Sequence, residues 1–208
     1  MSNARPRLAL PLAATLLLAA CSVKAPPQSS WTILGEPRAA AQQPRALRAD
    51  DGPALGMGRF SAAPDIRRTD LAWRSEDGRQ VHETDDRWVD YPDRMLEELT
   101  RSALLQSGRF SSVTTAPPSA GLDLVLQARV LDFTEWHSGD AVETRVAIEW
   151  RLTRTEGDLL AQDVVRASRS VEERSVAGAV RAYQAAAEEA VASLVTAVTD
   201  ASERLGIR

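Results

Sequence analysis

From Val142 to Leu152 apolar and polar side chains alternate without a break. Val142, Thr144, Val146, Ile148, Trp150 and Leu152 share one face, while Glu143, Arg145, Glu149 and Arg151 share the other. Successive side chains of a strand point to opposite sides, so a period of two predicts a half-buried antiparallel strand with a solvated charged face. Leu122–Trp136 precedes it across Ser138-Gly139-Asp140, and Leu159–Val171 follows across Glu156-Gly157-Asp158. Three long strands with short connections form a meander. The period then changes. After Ser175, a residue type that caps helix N-termini, Val176, Val180, Tyr183, Ala187, Ala190, Val191, Leu194, Val198, Ala201 and Leu205 recur at steps of three and four. This predicts a long C-terminal amphipathic helix whose alanine-rich face can approach a sheet closely.

The N-terminal half carries shorter signals. Trp31–Leu34 reads as a first strand and Leu55–Phe60 as a second, weakened by Gly56 and Gly58. Leu71-Ala72-Trp73-Arg74 and Gln80-Val81-His82-Glu83 flank Asp77-Gly78, a favoured turn pair, and predict a hairpin. A helix follows, with Asp90 as N-cap, Pro92 in its first turn and Gly108 at its end. Tyr91, Met95, Leu99 and Ala103, with Leu96 and Leu105 beside them, form its expected core face. Phe110–Thr115 reads as another short strand, and Arg38–Pro53 has no periodicity and reads as loop. The expected architecture is an α+β fold, an antiparallel sheet with two helices packed on one face.

The first twenty residues belong to none of this. Arg5 and Arg7 form a positive start, Leu8–Leu18 an apolar run, and Ala19 and Ala20 a small-residue cleavage site, the three parts of a secretion signal. An apolar run of roughly 11–13 residues is too short to span a bilayer, which needs about 20. Cys21, the only cysteine, stands directly after Ala20. The Leu-Ala-Ala-Cys stretch resembles the bacterial lipobox, which implies cleavage between Ala20 and Cys21 and a covalent lipid on the Cys21 sulfur. Ser22–Ser30 is rich in serine, proline and glutamine and reads as a flexible tether. The chain thus divides into a signal peptide (1–20), a lipidated tether (21–30) and a single domain (31–208).

Charge and chemistry narrow the function further. The chain carries a net charge of −4, which becomes −6 once Arg5 and Arg7 are removed. Such a domain repels phosphate backbones and anionic head groups, so nucleic acid is not an expected partner and the membrane contact falls to the lipid anchor. A single cysteine allows no intramolecular disulfide and no thiolate metal cluster. His82 and His137, the two histidines, sit at a strand end and a turn without ligand spacing, and no phosphate loop or nucleophile elbow occurs. No catalytic residue, metal or cofactor is expected. Trp73, Trp88 and Trp136 are the candidates for partner binding, since tryptophan is enriched at interface hot spots, although each is also a natural core residue.

The order of these pieces resembles the ABC-type transport auxiliary lipoprotein family. The resemblance rests on Trp31-Thr32-Ile33-Leu34, on Leu71-Ala72-Trp73-Arg74 followed by Arg87-Trp88-Val89-Asp90-Tyr91-Pro92, on Gly108-Arg109-Phe110, and on the final meander and alanine-rich helix. It implies a non-enzymatic envelope component that docks to a periplasmic MCE-type protein. An ATPase and a permease elsewhere would move phospholipid or another hydrophobic substrate between membranes. Ser22, rather than aspartate, after the acylated cysteine implies the periplasmic face of the outer membrane. Homo-oligomerisation stays open at this point. So does an envelope-assembly scaffold with no direct role in lipid transport. Mass spectrometry of the membrane fraction is expected to find residues 1–20 missing and acyl mass on Cys21; an intact N-terminus with a free thiol would refute the anchor.

Overall fold

The computed structural model describes residues 29–34, 52–115 and 121–204. The expected signal peptide, Cys21, the tether up to Gln28, the loop from Arg38 to Asp51 and Leu205 lie outside them.

The described residues form nine strands in one sheet and two helices. In chain order these are β1 (Ser29–Trp31), β2 (Ala54–Met57), β3 (Ser61–Ala62), β4 (Asp70–Ser75), β5 (Gln80–Trp88), α1 (Pro92–Ser107), β6 (Ser112–Thr114), β7 (Leu124–Ser138), β8 (Ala141–Arg154), β9 (Leu159–Ser170) and α2 (Val176–Arg204). The meander is present as expected, β7 pairing with β8 and β8 with β9, both antiparallel. Gly139 and Gly157 take left-handed conformations, φ 54° and 105°, in the two turns. The β4–β5 hairpin also forms, with Gly78 at φ 81°.

The sheet is not antiparallel throughout. The free side of β7 receives three short strands in succession, all parallel to it: β2 at Leu124–Leu126, β3 at Arg129–Val130 and β4 at Glu135–His137. β2 also pairs in parallel with β6, and β1 with β5. The result is a mixed, curled sheet. Strands of two to six residues show too few alternations to reveal their direction or partner, and parallel neighbours lie far apart in sequence by necessity.

Strand limits shift as well. β1 starts at Ser29, where Ser29 and Ser30 face Asp86 and Arg87, so the last two residues of the expected tether are in the sheet. Trp31 Nε1 donates to Asp86 Oδ1 at 2.7 Å, which fixes the strand beside β5.

α1 ends as expected at Gly108, φ 63°, whose N–H bonds Leu105 O. Its cap is Tyr91, without a side-chain bond, and Asp90 instead accepts the Tyr91 N–H at 2.7 Å. Its buried face runs through Met95, Leu96, Thr100 and Leu104, while Tyr91 and Leu105 are 40% and 37% exposed. The expected stripe is therefore rotated by one position, because α1 contacts α2, the short strands β3 and β6, and β7 rather than lying on one flat sheet face. α2 covers β8 and β9. Ser175 caps it, its Oγ accepting the Gly178 N–H at 3.0 Å. A Cβ on Gly178 would lie 2.0 Å from the Glu173 carbonyl oxygen, so this tight entry requires glycine.

The core lies between the sheet and the helices, and an aromatic cluster ties its N- and C-terminal halves together. Trp88 of β5, 4% exposed, packs edge-on against Phe133 of β7 at 5.4 Å and Tyr183 of α2 at 5.2 Å. Phe133 and Tyr183 stack at 4.7 Å. Truncation leaves a cavity as well as lost contacts, so Trp88→Ala is expected to cost about 3–5 kcal/mol. Denaturant unfolding with an unchanged slope and a much lower midpoint would confirm this; wild-type stability would refute it.

Candidate functional site

The position of the site is set by an irregularity in β7. Leu124, Leu126, Ala128 and Val130 face the helices, and Leu131 is then an extra residue, since Val130 is opposite Ile148 and Asp132 opposite Ala147. A bulge of this kind inverts the alternation beyond it. Phe133, Glu135 and His137 now point inward, and Asp132, Thr134 and Trp136 outward. The end of β7 thereby brings a carboxylate and an imidazole onto the side of the sheet that elsewhere holds the core.

These two side chains lie in a cleft of about 360 Å³ between the β4–β5 hairpin, the β7–β8 turn and the first turns of α2. Its apolar walls include Leu71, Trp73, Val142, Val171 and Val176. His137 Nε2 donates to Glu135 Oε1 at 2.5 Å, and the imidazole stacks on Trp73 at 4.6 Å. Tyr183 closes the base, its Oη donating to the Ala72 carbonyl at 3.4 Å. Burial, helped by the negative charges of Glu135 and Asp132, pushes the Tyr183 hydroxyl well above its ordinary pKa, so it remains a donor. The volume falls within the ~300–1,000 Å³ range of small-ligand and side-chain sites.

The three tryptophans proposed from sequence are not brought together. Trp73 lines the cleft. Trp88 is in the core, a correction to its candidacy as a contact residue, because β5 runs on to Trp88 and turns it under α2. Trp136 is half-buried on the opposite sheet face, where the Arg145 guanidinium lies 4.4 Å from its ring centre. His82 is remote from His137 in register and sits with Nδ1 3.0 Å from Asp70 Oδ2. Burial raises the Asp70 pKa, but the Arg68 hydrogen bond, with the neighbouring backbone and charges, outweighs it and holds this carboxyl below its usual value. Ala20 and Cys21 lie outside the described residues. Sequence reasoning did not single out Glu135 or Tyr183. The available signal was the spacing of Val130, Leu131 and Phe133, which breaks the period of two.

A second, larger cleft of about 710 Å³ lies on the outward face of the meander. Its walls are residues of β7, β8 and β9 together with Gly58, Arg59 and Ser61, with Arg129 directly opposite Glu149 and Arg151 bonded to Gln127. Mixed charges in alternating positions are the ordinary chemistry of a solvated sheet face. Among the described residues no group of three or more His, Cys, Asp or Glu side chains is placed to hold a metal ion.

Residues 33–195 match the family model of the ABC-type transport auxiliary lipoprotein component. The chain belongs to that family. Membership makes this auxiliary lipoprotein a component associated with an ABC transport system and places it in the cell envelope. Among the described residues no helix is long and apolar enough to cross a membrane. The fold of the auxiliary lipoprotein is similar to the crystal structure of a Xanthomonas campestris protein of family DUF330, with TM-score 0.70 and 18% identity over 74% of this chain and 88% of that one. It is also similar to an uncharacterised protein, with TM-score 0.64 and 13% identity over 83% of this chain and 99% of that one. Comparison with curated proteins gives no match.

The outward face beyond the bulge holds a half-buried acid. Asp132 accepts the Thr134 hydroxyl at 2.6 Å, and burial raises its pKa despite Thr134, Arg74 and Arg145. Asp93, 1% exposed in the first turn of α1, is raised by burial in the same way against Arg67. The folded chain therefore binds these protons at higher pH than the unfolded chain does. Their contribution to stability is full below the ordinary aspartate pKa and is lost as pH rises through the raised value. Asp132→Asn is accordingly expected to raise the Tm at pH 7 by about 2 °C, and the difference from wild type to vanish as the pH falls toward the ordinary aspartate range. A lower Tm for the variant at pH 7 would refute the assignment.

Proposed function

We propose that this auxiliary lipoprotein is a non-enzymatic docking component, held by a lipid on Cys21 at the periplasmic face of the outer membrane. It engages an MCE-type periplasmic protein, and the ATPase and permease of that system drive phospholipid or another hydrophobic substrate between membranes. The observation that carries this reading is the family match across residues 33–195 directly downstream of the Leu18-Ala19-Ala20-Cys21 stretch. Two physical features support it. The acidic domain cannot hold an anionic membrane by charge, so two or more acyl chains, each contributing about 0.8 kcal/mol per buried methylene, supply the attachment. Among the described residues no nucleophile, base and orienting group are bonded to one another in either cleft, the arrangement that an acyl- or phosphoryl-transfer site requires. His137 and Glu135 are bonded to each other, and the serine that lines their cleft, Ser175, is engaged as the α2 cap, accepting the Gly178 N–H and donating to Glu173.

Affinity purification of the tagged, lipidated chain from mildly solubilised envelopes tests the reading. MCE-type, permease and ATPase subunits are expected to co-purify, and the Cys21→Ser chain is expected in the soluble periplasmic fraction with reduced yield of those partners. Recovery of secretion or cell-wall assembly components alone would overturn the transport reading in favour of a scaffold.

A further inference from the structure

The rim of the cleft between the hairpin and α2 has a charge that its interior explains. Glu76, Asp77, Glu83, Asp140, Glu172 and Glu173 are exposed around it, against Arg79, Arg174 and Arg181. Arg174 lies 3.8 Å from Asp140 and Arg181 is bonded to Glu173, pairs that cancel, which leaves Glu76, Asp77, Glu83 and Glu172 against Arg79 and an acidic mouth. Behind that mouth the walls are apolar, formed by Leu71, Trp73, Val142 and Val176. At the base stands Glu135, 19% exposed, with one oxygen held by His137 and the other left for a second donor.

We infer that this cleft receives a lysine or arginine side chain, flanked by apolar residues, from a peptide segment of the periplasmic partner. A long cationic side chain fits both halves of the site. Its methylenes lie along apolar walls while its head reaches a carboxylate, and Trp73 offers an aromatic face on the way. The acidic rim steers such a segment toward the mouth. A phospholipid is a poor match: its phosphate meets the rim carboxylates, and an acyl chain would bury Glu135 without a counter-charge. The inference deepens the docking reading and rests on it.

The test uses the full-length lipidated chain in detergent and short random peptides displayed on phage as the probe. Selection is expected to enrich peptides with a basic residue between apolar ones. Synthesised singly, these should bind wild type and lose about tenfold in affinity on Glu135→Gln and on Val142→Lys, which sets a cation in the cleft, at unchanged melting temperature for at least the conservative Glu135→Gln. Replacing the peptide's basic residue by norleucine should have the same effect. Enrichment of acidic or purely apolar peptides, or binding indifferent to Glu135→Gln, would overturn the inference. So would flotation of the unlipidated Cys21→Ser chain with phosphatidylglycerol vesicles that Val142→Asp abolishes, which assigns the cleft to lipid. Binding seen only in Lys24→Gln protein would assign it to the chain's own N-terminal segment and overturn the inference equally. If co-purification with the MCE-type partner survives both cleft variants, the cleft assignment fails and the docking reading stands; if wild type recovers no such partner, the docking reading itself fails.

Discussion

A single strand, β7, is paired on one edge along its whole length and on the other in three separate stretches, and the architecture depends on that. One edge bonds β8 from Leu124 to Ser138, and the other is shared among β2, β3 and β4. Backbone N–H and C=O groups buried in a sheet must all be paired, so three short strands have to meet this edge in succession. Each is too short to be stable by itself; the ladder to β7 is what orders them. The bulge at Leu131 then decides what the two ends of β7 do. Before it, the inward positions are apolar and build the core beneath α2; after it, they are Phe133, Glu135 and His137.

The aromatic contacts of Trp88, Phe133 and Tyr183 sit at that change of phase. They join β5, β7 and α2, elements from both halves of the chain, and separate the dry core from the cleft. Large rings with offset or edge contacts contribute beyond their buried area, about 0.5–1.5 kcal/mol per pair. Tyr183 serves both sides, with its ring in the core and its hydroxyl on the Ala72 carbonyl at the cleft base. A rigid wall of this kind lets a half-buried carboxylate such as Glu135 keep a fixed direction.

Function follows from placement more than from chemistry. Under the proposed anchoring at Cys21, an acidic domain would be kept off anionic surfaces while remaining close to one membrane. Its inward-facing polar residues lie where the hairpin, the β7–β8 turn and the start of α2 converge, at one end of the molecule. That end is where the proposed partner segment would meet apolar walls and carboxylates together.

The strict alternation of β8, the three glycine turns and the Ser175 cap were legible in the chain because each is a local matter of backbone period or φ angle. The family resemblance was legible too, in motifs spread from Trp31 to the last helix. Strand direction was not. β2 and β6 lie side by side in parallel through contacts between residues more than fifty apart, and nothing within either strand records this. Nor was the rotation of α1, since which side of a helix is buried depends on the neighbours it meets. Trp88 and Trp73 look alike as sequence, yet one is in the core and the other in the cleft, because hydrophobicity states that a side chain prefers burial and only the packing of distant elements determines where burial is available.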